Sequence, residues 1–151
     1  MKQNIGFTGA IFKKCSIFNN PLGDLRHVLI DNNELKISEI YFSEVNPKST
    51  KAWKFHKFQT QNISVAFGKI RIICVKDDSG HQIFEVFDID YKSNHGVLSI
   101  PPGIHYALIN LYDDIAILFN GTDKVHDPSE YQSAQPDSKK FINLIHKYAS
   151  N

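Results

Sequence analysis

An all-β fold closed by one short C-terminal helix is what this sequence predicts, and three observations predict it. Its 11 Phe and 6 Tyr stand among many Ile and Val, residue types whose bulk suits a pleated, half-buried surface. Asn, Asp, Gly, Ser and Pro interrupt the apolar runs about every ten residues, the spacing of short strands joined by turns. Helical periodicity is missing until roughly the last dozen residues.

In chain order, strands are expected over Ala10–Phe18, Leu25–Asp31, Leu35–Val45, Ala52–Phe58, Ile63–Val75, Ile83–Ile89, Gly96–Ile100, His105–Leu111 and Ile115–Asn120. The segments Pro21-Leu22-Gly23, Asp31-Asn32-Asn33, Asn46-Pro47, Asp77-Asp78-Ser79-Gly80, Ser93-Asn94-His95-Gly96, Pro101-Pro102-Gly103 and Tyr112-Asp113-Asp114 separate them with residues that tolerate tight turns. Within Ile63–Val75 the apolar phase flips: Ile63, Val65 and Phe67 alternate up to Gly68, then Ile70, Ile72 and Cys74 take over. A change of face at a glycine marks a turn or a bulge, as at the corner of a small barrel. The polar stretch 125–137, with Pro128 and Pro136, reads as a surface loop. Phe141, Leu144, Ile145 and Tyr148 then recur at helical spacing over about 138–149, with Ser138 placed to cap the helix.

Length and charge narrow the function classes. A chain of 151 residues buries roughly 69% of its unfolded surface, which fits one domain spanning 1–151. With 17 Lys+Arg against 16 Asp+Glu the net charge is +1, so neither a disordered chain nor a strongly basic nucleic-acid binder is expected. No run approaches the ~18 apolar residues of a membrane span, and the N-terminus lacks a secretory pattern, so a cytoplasmic protein without membrane or nucleic-acid partners is expected. Cys15 and Cys74 are far apart and outside any Cys-x-x-Cys spacing, as core or edge thiols would be.

Two spaced clusters carry the chemistry: His56-x4-Gln61-x6-Gly68, and Gly96-x4-Pro101-x-Gly103-x2-Tyr106-x3-Asn110. In this spacing the chain resembles the cupin superfamily, which implies a jelly-roll β-barrel with a motif-bearing core over 23–130. The positions that hold the metal in metal-binding cupins fall here on Lys54, His56, Gln61 and Tyr106. An ammonium has no lone pair and an amide oxygen is a weak neutral ligand, so no metal and no other cofactor is expected.

Three further pieces resemble the dTDP-4-dehydrorhamnose 3,5-epimerases and the related sugar 3,4-ketoisomerases. They are Gly23-Asp24-Leu25-Arg26; Lys51-Ala52-Trp53-Lys54-Phe55-His56-Lys57 with Gln61 and Gly68; and Ile100–Leu108 followed by Thr122-Asp123 and Asp127-Pro128-Ser129-Glu130. The resemblance implies a homodimeric enzyme of surface-polysaccharide synthesis, such as that of lipopolysaccharide. Its substrate would be a nucleotide-linked 4-keto-6-deoxy sugar, which loses a proton beside the ketone.

His56 is the candidate base, since an imidazole titrates near pH ~6.5 and accepts a proton in the cell. Lys54, two residues away on the same strand, faces the same side and would hold an enolate or a phosphate. Tyr106 is a candidate proton donor. Arg26 suits the diphosphate by its forked donors and, by the resemblance, would reach the partner subunit's site; Asp24 is grouped with it as substrate-binding. Gln61 and Trp53 are candidates to flank the sugar or base, Trp53 alternatively to fill a dimer interface. The epimerases place a tyrosine acid shortly after the position of Thr122-Asp123, where this chain has Lys124, Val125 and His126, which makes His126 or Tyr106 the candidate substitute. His105 is expected on the face opposite Tyr106. His27, His81, His95 and His146 are expected in turns or on exposed faces. Two other classes stay open: a non-catalytic cupin that binds a sugar or nucleotide sugar, and a metal-dependent cupin with unusual ligands.

Overall fold

A computed structural model describes residues 2–28, 36–133, 139 and 141–150. Its strands are β1 (Lys2–Ile5), β2 (Ile11–Lys14), β3 (Ile17–Phe18), β4 (Leu25–Arg26), β5 (Glu39–Val45), β6 (Thr50–His56), β7 (Gln61–Phe67), β8 (Lys69–Asp78), β9 (His81–Asp90), β10 (Gly96–Ile100), β11 (His105–Ile109), β12 (Ala116–Thr122) and β13 (Tyr131–Ser133), followed by the helix α1 (Ile142–Tyr148). One sheet has the order β1-β9-β8-β11-β6-β13, a second β2-β10-β7-β12-β5, and β3 and β4 form a separate hairpin. Ile63, Val65, Leu98 and Leu118 from the second sheet pack against Ile70, Ile72, Ile89 and Leu108 from the first, so the main core lies between the sheets. This is the all-β jelly roll with one C-terminal helix that the sequence predicts.

The phase flip at Gly68 is a corner between layers. β7 lies in the five-stranded sheet and β8 in the six-stranded one, so each half of the run turns its apolar residues to the same core from opposite sides. Gly68 has φ +78°, and a Cβ there would stand 2.6 Å from the carbonyl oxygen of Ile115. Ser79 and Gly80 join β8 to β9 with φ of 49° and 92°, the two left-handed residues of a tight hairpin turn.

Other boundaries differ for physical reasons. The run Ala10–Phe18 divides because β2 pairs with β10 whereas β3 pairs with β4. β1, parallel to β9, has no apolar alternation to announce it. The stretch 125–137 is not all loop, since β13 pairs with β6, placing Tyr131 opposite His56. Of the expected strand Leu25–Asp31, Leu25–Arg26 is strand and His27 and Val28 are not, while residues 29–35 lie outside the described ones. Ser138, the expected cap, also lies outside them; α1 begins after Phe141, which has φ 57° and no side-chain cap bond. His95, expected in a turn or on an exposed face, lies in the connection between β9 and β10 but is only 4% exposed, with Nε2 2.7 Å from the carbonyl of His27. No helix among the described residues is long and apolar enough to cross a membrane.

Candidate active site

Strand alternation puts Lys54 and His56 on the inner face of β6, flanked by Tyr106 on β11, opposite Lys54, and Tyr131 on β13, opposite His56. With Glu39 and Tyr41 of β5 and His126 of the loop before β13, they line a cavity of about 410 Å³ at one end of the barrel. Glu130, directly before β13, closes the site from behind.

His56 is 6% exposed, and its Nδ1 stands 2.6 Å from Glu130 Oε1. The other oxygen of Glu130 accepts the backbone N–H of Lys57 at 2.8 Å and of Phe58 at 3.1 Å. Burial pushes this carboxyl up, but the hydrogen bonds from His56 and from those two N–H groups outweigh it, leaving it below the ordinary glutamate value. An ionised Glu130 only accepts, so the hydrogen sits on Nδ1 and the Nε2 lone pair faces the cavity. Tyr106 donates its hydroxyl toward Nε2 across 3.4 Å. Burial first, then the neighbouring Tyr41, Tyr131, Cys74 and Glu130, hold Tyr106 well above the usual phenol range, so it keeps its proton. Lys54 Nζ donates to the hydroxyl oxygen of Tyr131 at 3.3 Å.

The opposite wall is built differently. Tyr41 donates to Gln61 Oε1 at 3.2 Å, Gln61 to Gln59 Oε1 at 2.6 Å, and Gln59 to the carbonyl of Lys124 at 2.5 Å. Burial, with Glu39 and Tyr131 nearby, raises Tyr41 above the usual phenol value. His126 stands with its ring 6.2 Å from Tyr131 and its backbone N–H donating to Glu39 at 2.8 Å.

His56, Lys54, Tyr106 and His126 are therefore brought together, and the other four candidates are not. Gln61, expected beside the sugar, is 1% exposed and spends its amide behind Tyr41. Trp53, expected beside the sugar or at a dimer interface, is in neither place. An extra residue in β6, where Lys54 faces Tyr106 but Lys51 faces Leu108, turns Ala52 and Trp53 both away from the barrel interior. Trp53 is 1% exposed, its ring 5.1 Å from Phe141 beneath α1. Asp24 and Arg26 pair with each other at 3.1 Å, and Arg26 also donates to the carbonyl of Tyr91 at 2.7 Å. Tyr91 binds Gly68, at the end of β7 away from Gln61, so within one chain this pair lies about 20 Å from the cavity by strand rise.

A cupin metal does not fit the side chains present. The ligand positions carry Lys54, His56, Gln61 and Tyr106, and among the described residues no three His, Cys, Asp or Glu side chains converge as a metal site would require. Sequence reasoning assigned no role to Glu130, Tyr131, Glu39 or Tyr41. Glu130 stood within a quoted motif and Tyr131 next to it; for Glu39 and Tyr41 residue type gave no signal.

No family model matches this chain, and no curated protein matches it in sequence. Solved structures do match over most of its length. A dTDP sugar isomerase from Desulfovibrio desulfuricans superposes with a TM-score of 0.80 at 29% identity, covering 86% of each chain. A 3'-monoepimerase from Streptomyces bikiniensis, solved with dTDP-quinovose, gives 0.76 at 14% identity over 89% of this chain and 74% of that one. A 3,4-ketoisomerase from Thermoanaerobacterium thermosaccharolyticum, solved with TDP-4-keto-6-deoxyglucose as a variant with one histidine replaced by asparagine, gives 0.67 at 15% over 84% and 88%. The fold is the cupin jelly roll that these sugar epimerases and isomerases share.

Proposed function

We propose that this chain is a nucleotide-sugar epimerase or isomerase. Its substrate is a 4-keto-6-deoxyhexose carried on a nucleoside diphosphate, and it moves the proton on a carbon beside the ketone, in the synthesis of cell-surface polysaccharide. The observation that carries the reading is the 2.6 Å bond between His56 Nδ1 and Glu130, which leaves Nε2 as a base facing a cavity of about 410 Å³, within the range of small-molecule sites.

A hydrogen beside a ketone is weakly acidic, and a placed general base supplies about 10²- to 10⁴-fold of rate. The remainder comes from stabilising the enolate. Lys54 is the cation at the cavity for that charge, worth about 4 kcal/mol for a pair 4 Å apart at a surface-like dielectric. Tyr106, protonated and weakly engaged at 3.4 Å, exchanges its bond to His56 for one to the sugar. The same reading includes a cytoplasmic homodimer in which Arg26 serves the neighbouring copy's diphosphate, checked by solution mass and by a raised KM in Arg26→Ala.

The test is incubation with dTDP-4-keto-6-deoxyglucose in D₂O followed by NMR. Solvent deuterium entering a carbon beside the ketone is expected. Tight binding with no exchange overturns the enzyme in favour of a binding module.

A further inference from the structure

The two walls of the cavity differ in hydrogen-bonding character. On the six-stranded sheet Tyr106 and Tyr131 oppose Lys54 and His56 in register. Lys54 donates to the oxygen of Tyr131, so the ammonium and the phenol hydrogens of this wall suit a ketone, whose oxygen only accepts. The facing wall is β5, where Glu39 and Tyr41, two residues apart, share one face and line the same cavity.

The direction of the hydrogen bonds behind Tyr41 is fixed from their far end. The carbonyl of Lys124 can only accept, so Gln59 donates to it and keeps its own oxygen for the amide of Gln61. Gln61 then presents its oxygen to Tyr41, whose single hydrogen goes there, and the lone pairs of the phenol oxygen remain for the cavity. Glu39 Oε2 accepts the backbone N–H of His126 at 2.8 Å, which orients the carboxylate. Its other oxygen has no partner among the described residues. A wall of donors thus faces a pair of acceptors, and those acceptors call for a donor on the ligand.

A 4-keto-6-deoxyhexose linked to a nucleotide has few donors to give. C4 bears the ketone, C6 is a methyl group and O1 carries the diphosphate, which leaves hydroxyls at C2 and C3. C3 is beside the ketone, so a proton lost there changes the carbon that carries its hydroxyl. The C2 hydroxyl keeps its place whichever neighbour of the ketone reacts, and a fixed acceptor can hold it throughout. We infer that Glu39 and Tyr41 set the specificity of the enzyme by accepting the C2 hydroxyl of the sugar, so that it acts on 2-hydroxy sugars and discriminates against 2-deoxy ones. This rests on the function proposed above and names the substituent the substrate must carry. The physical basis is the cost of an unmet acceptor: a 2-deoxy sugar displaces water from Glu39 and Tyr41 and returns no hydrogen bond.

The experiment incubates the wild-type protein in D₂O with dTDP-4-keto-6-deoxyglucose and, separately, with dTDP-4-keto-2,6-dideoxyglucose, and reads kcat/KM for deuterium entry beside the ketone by NMR. A ratio of about 10²-fold or more in favour of the 2-hydroxy sugar is expected. In Glu39→Gln the amide oxygen still accepts from His126 while its N–H₂ replaces the free oxygen. That variant is expected to lower the ratio about 10- to 10²-fold, the loss falling on the 2-hydroxy sugar. Tyr41→Phe is expected to lower it about 3- to 10-fold. A wild-type ratio near one, with exchange in both sugars, overturns the inference and leaves the α-proton reading standing. Exchange in neither sugar removes both. Equal losses on the two sugars in Glu39→Gln would make Glu39 merely structural and overturn the inference as well.

Discussion

The two faces of the six-stranded sheet, where β6 meets β11, use the same residue types for different ends. On the inner face His56 meets a carboxylate at 2.6 Å and two phenols. On the outer face His105, one residue before Tyr106 and opposite Phe55 in register, lies with its ring 4.5 Å from Phe55 and 5.2 Å from Phe141. Tyr106 faces a cavity, whereas Trp53 is sealed beneath α1. The difference teaches that the task of an imidazole or an aromatic ring here is decided by strand phase. Chemistry and stability are therefore separable on a single sheet.

Substitutions on each face test that separation. The largest effect is expected from His56→Asn on the inner face: turnover falls about 10²- to 10⁴-fold, while loss of the imidazole's bond to Glu130 costs about 1–3 kcal/mol of stability and leaves the protein folded, read by NMR assay and calorimetry together. A parallel collapse in stability would break the comparison. On the outer face Phe141→Ala, which empties a site 4% exposed, costs about 3–5 kcal/mol and on the order of 10 °C in Tm, while turnover per folded molecule holds.

Glu130→Gln comes next, with about a 10²-fold loss of turnover, because an amide can donate toward Nδ1 and so favours the wrong tautomer. It sharpens the comparison by pH as well. The folded carboxyl lies below its ordinary value of 4.5, so its contribution to stability is full above about pH 4.5 and is lost as pH falls through the lowered value. Melting temperature followed from neutral into acid pH therefore falls less steeply in the variant than in wild type. Gly68→Ala, at the corner between layers, is expected to cost about 1–3 kcal/mol, from φ +78° and the carbonyl 2.6 Å from the new Cβ, with the inner-face chemistry intact.

The legible part of the site was the part that follows from a period of two. Lys54 and His56 share a face because they are two residues apart, and Tyr106 opposes His105 for the same reason. Trp53 was misplaced because one extra residue in β6 resets that period, and a bulge leaves no mark in side-chain type. Glu130 and Tyr131 received no role because β13 is three residues long within a polar stretch, and its identity as a strand comes from pairing with β6 rather than from its own pattern. Gln61 sits at a motif position, yet its amide is consumed by Tyr41 and Gln59, partners that spacing cannot reveal. Gly68 was legible as an interruption, and only the two-sheet architecture explains why the phase reverses there.

The most direct measurement of the central claim is the rate at which solvent deuterium enters dTDP-4-keto-6-deoxyglucose beside its ketone, compared between wild type and His56→Asn under matched substrate saturation. The account predicts measurable exchange in wild type and a loss of at least about 10²-fold in the variant. Equal exchange rates in the two proteins would contradict it.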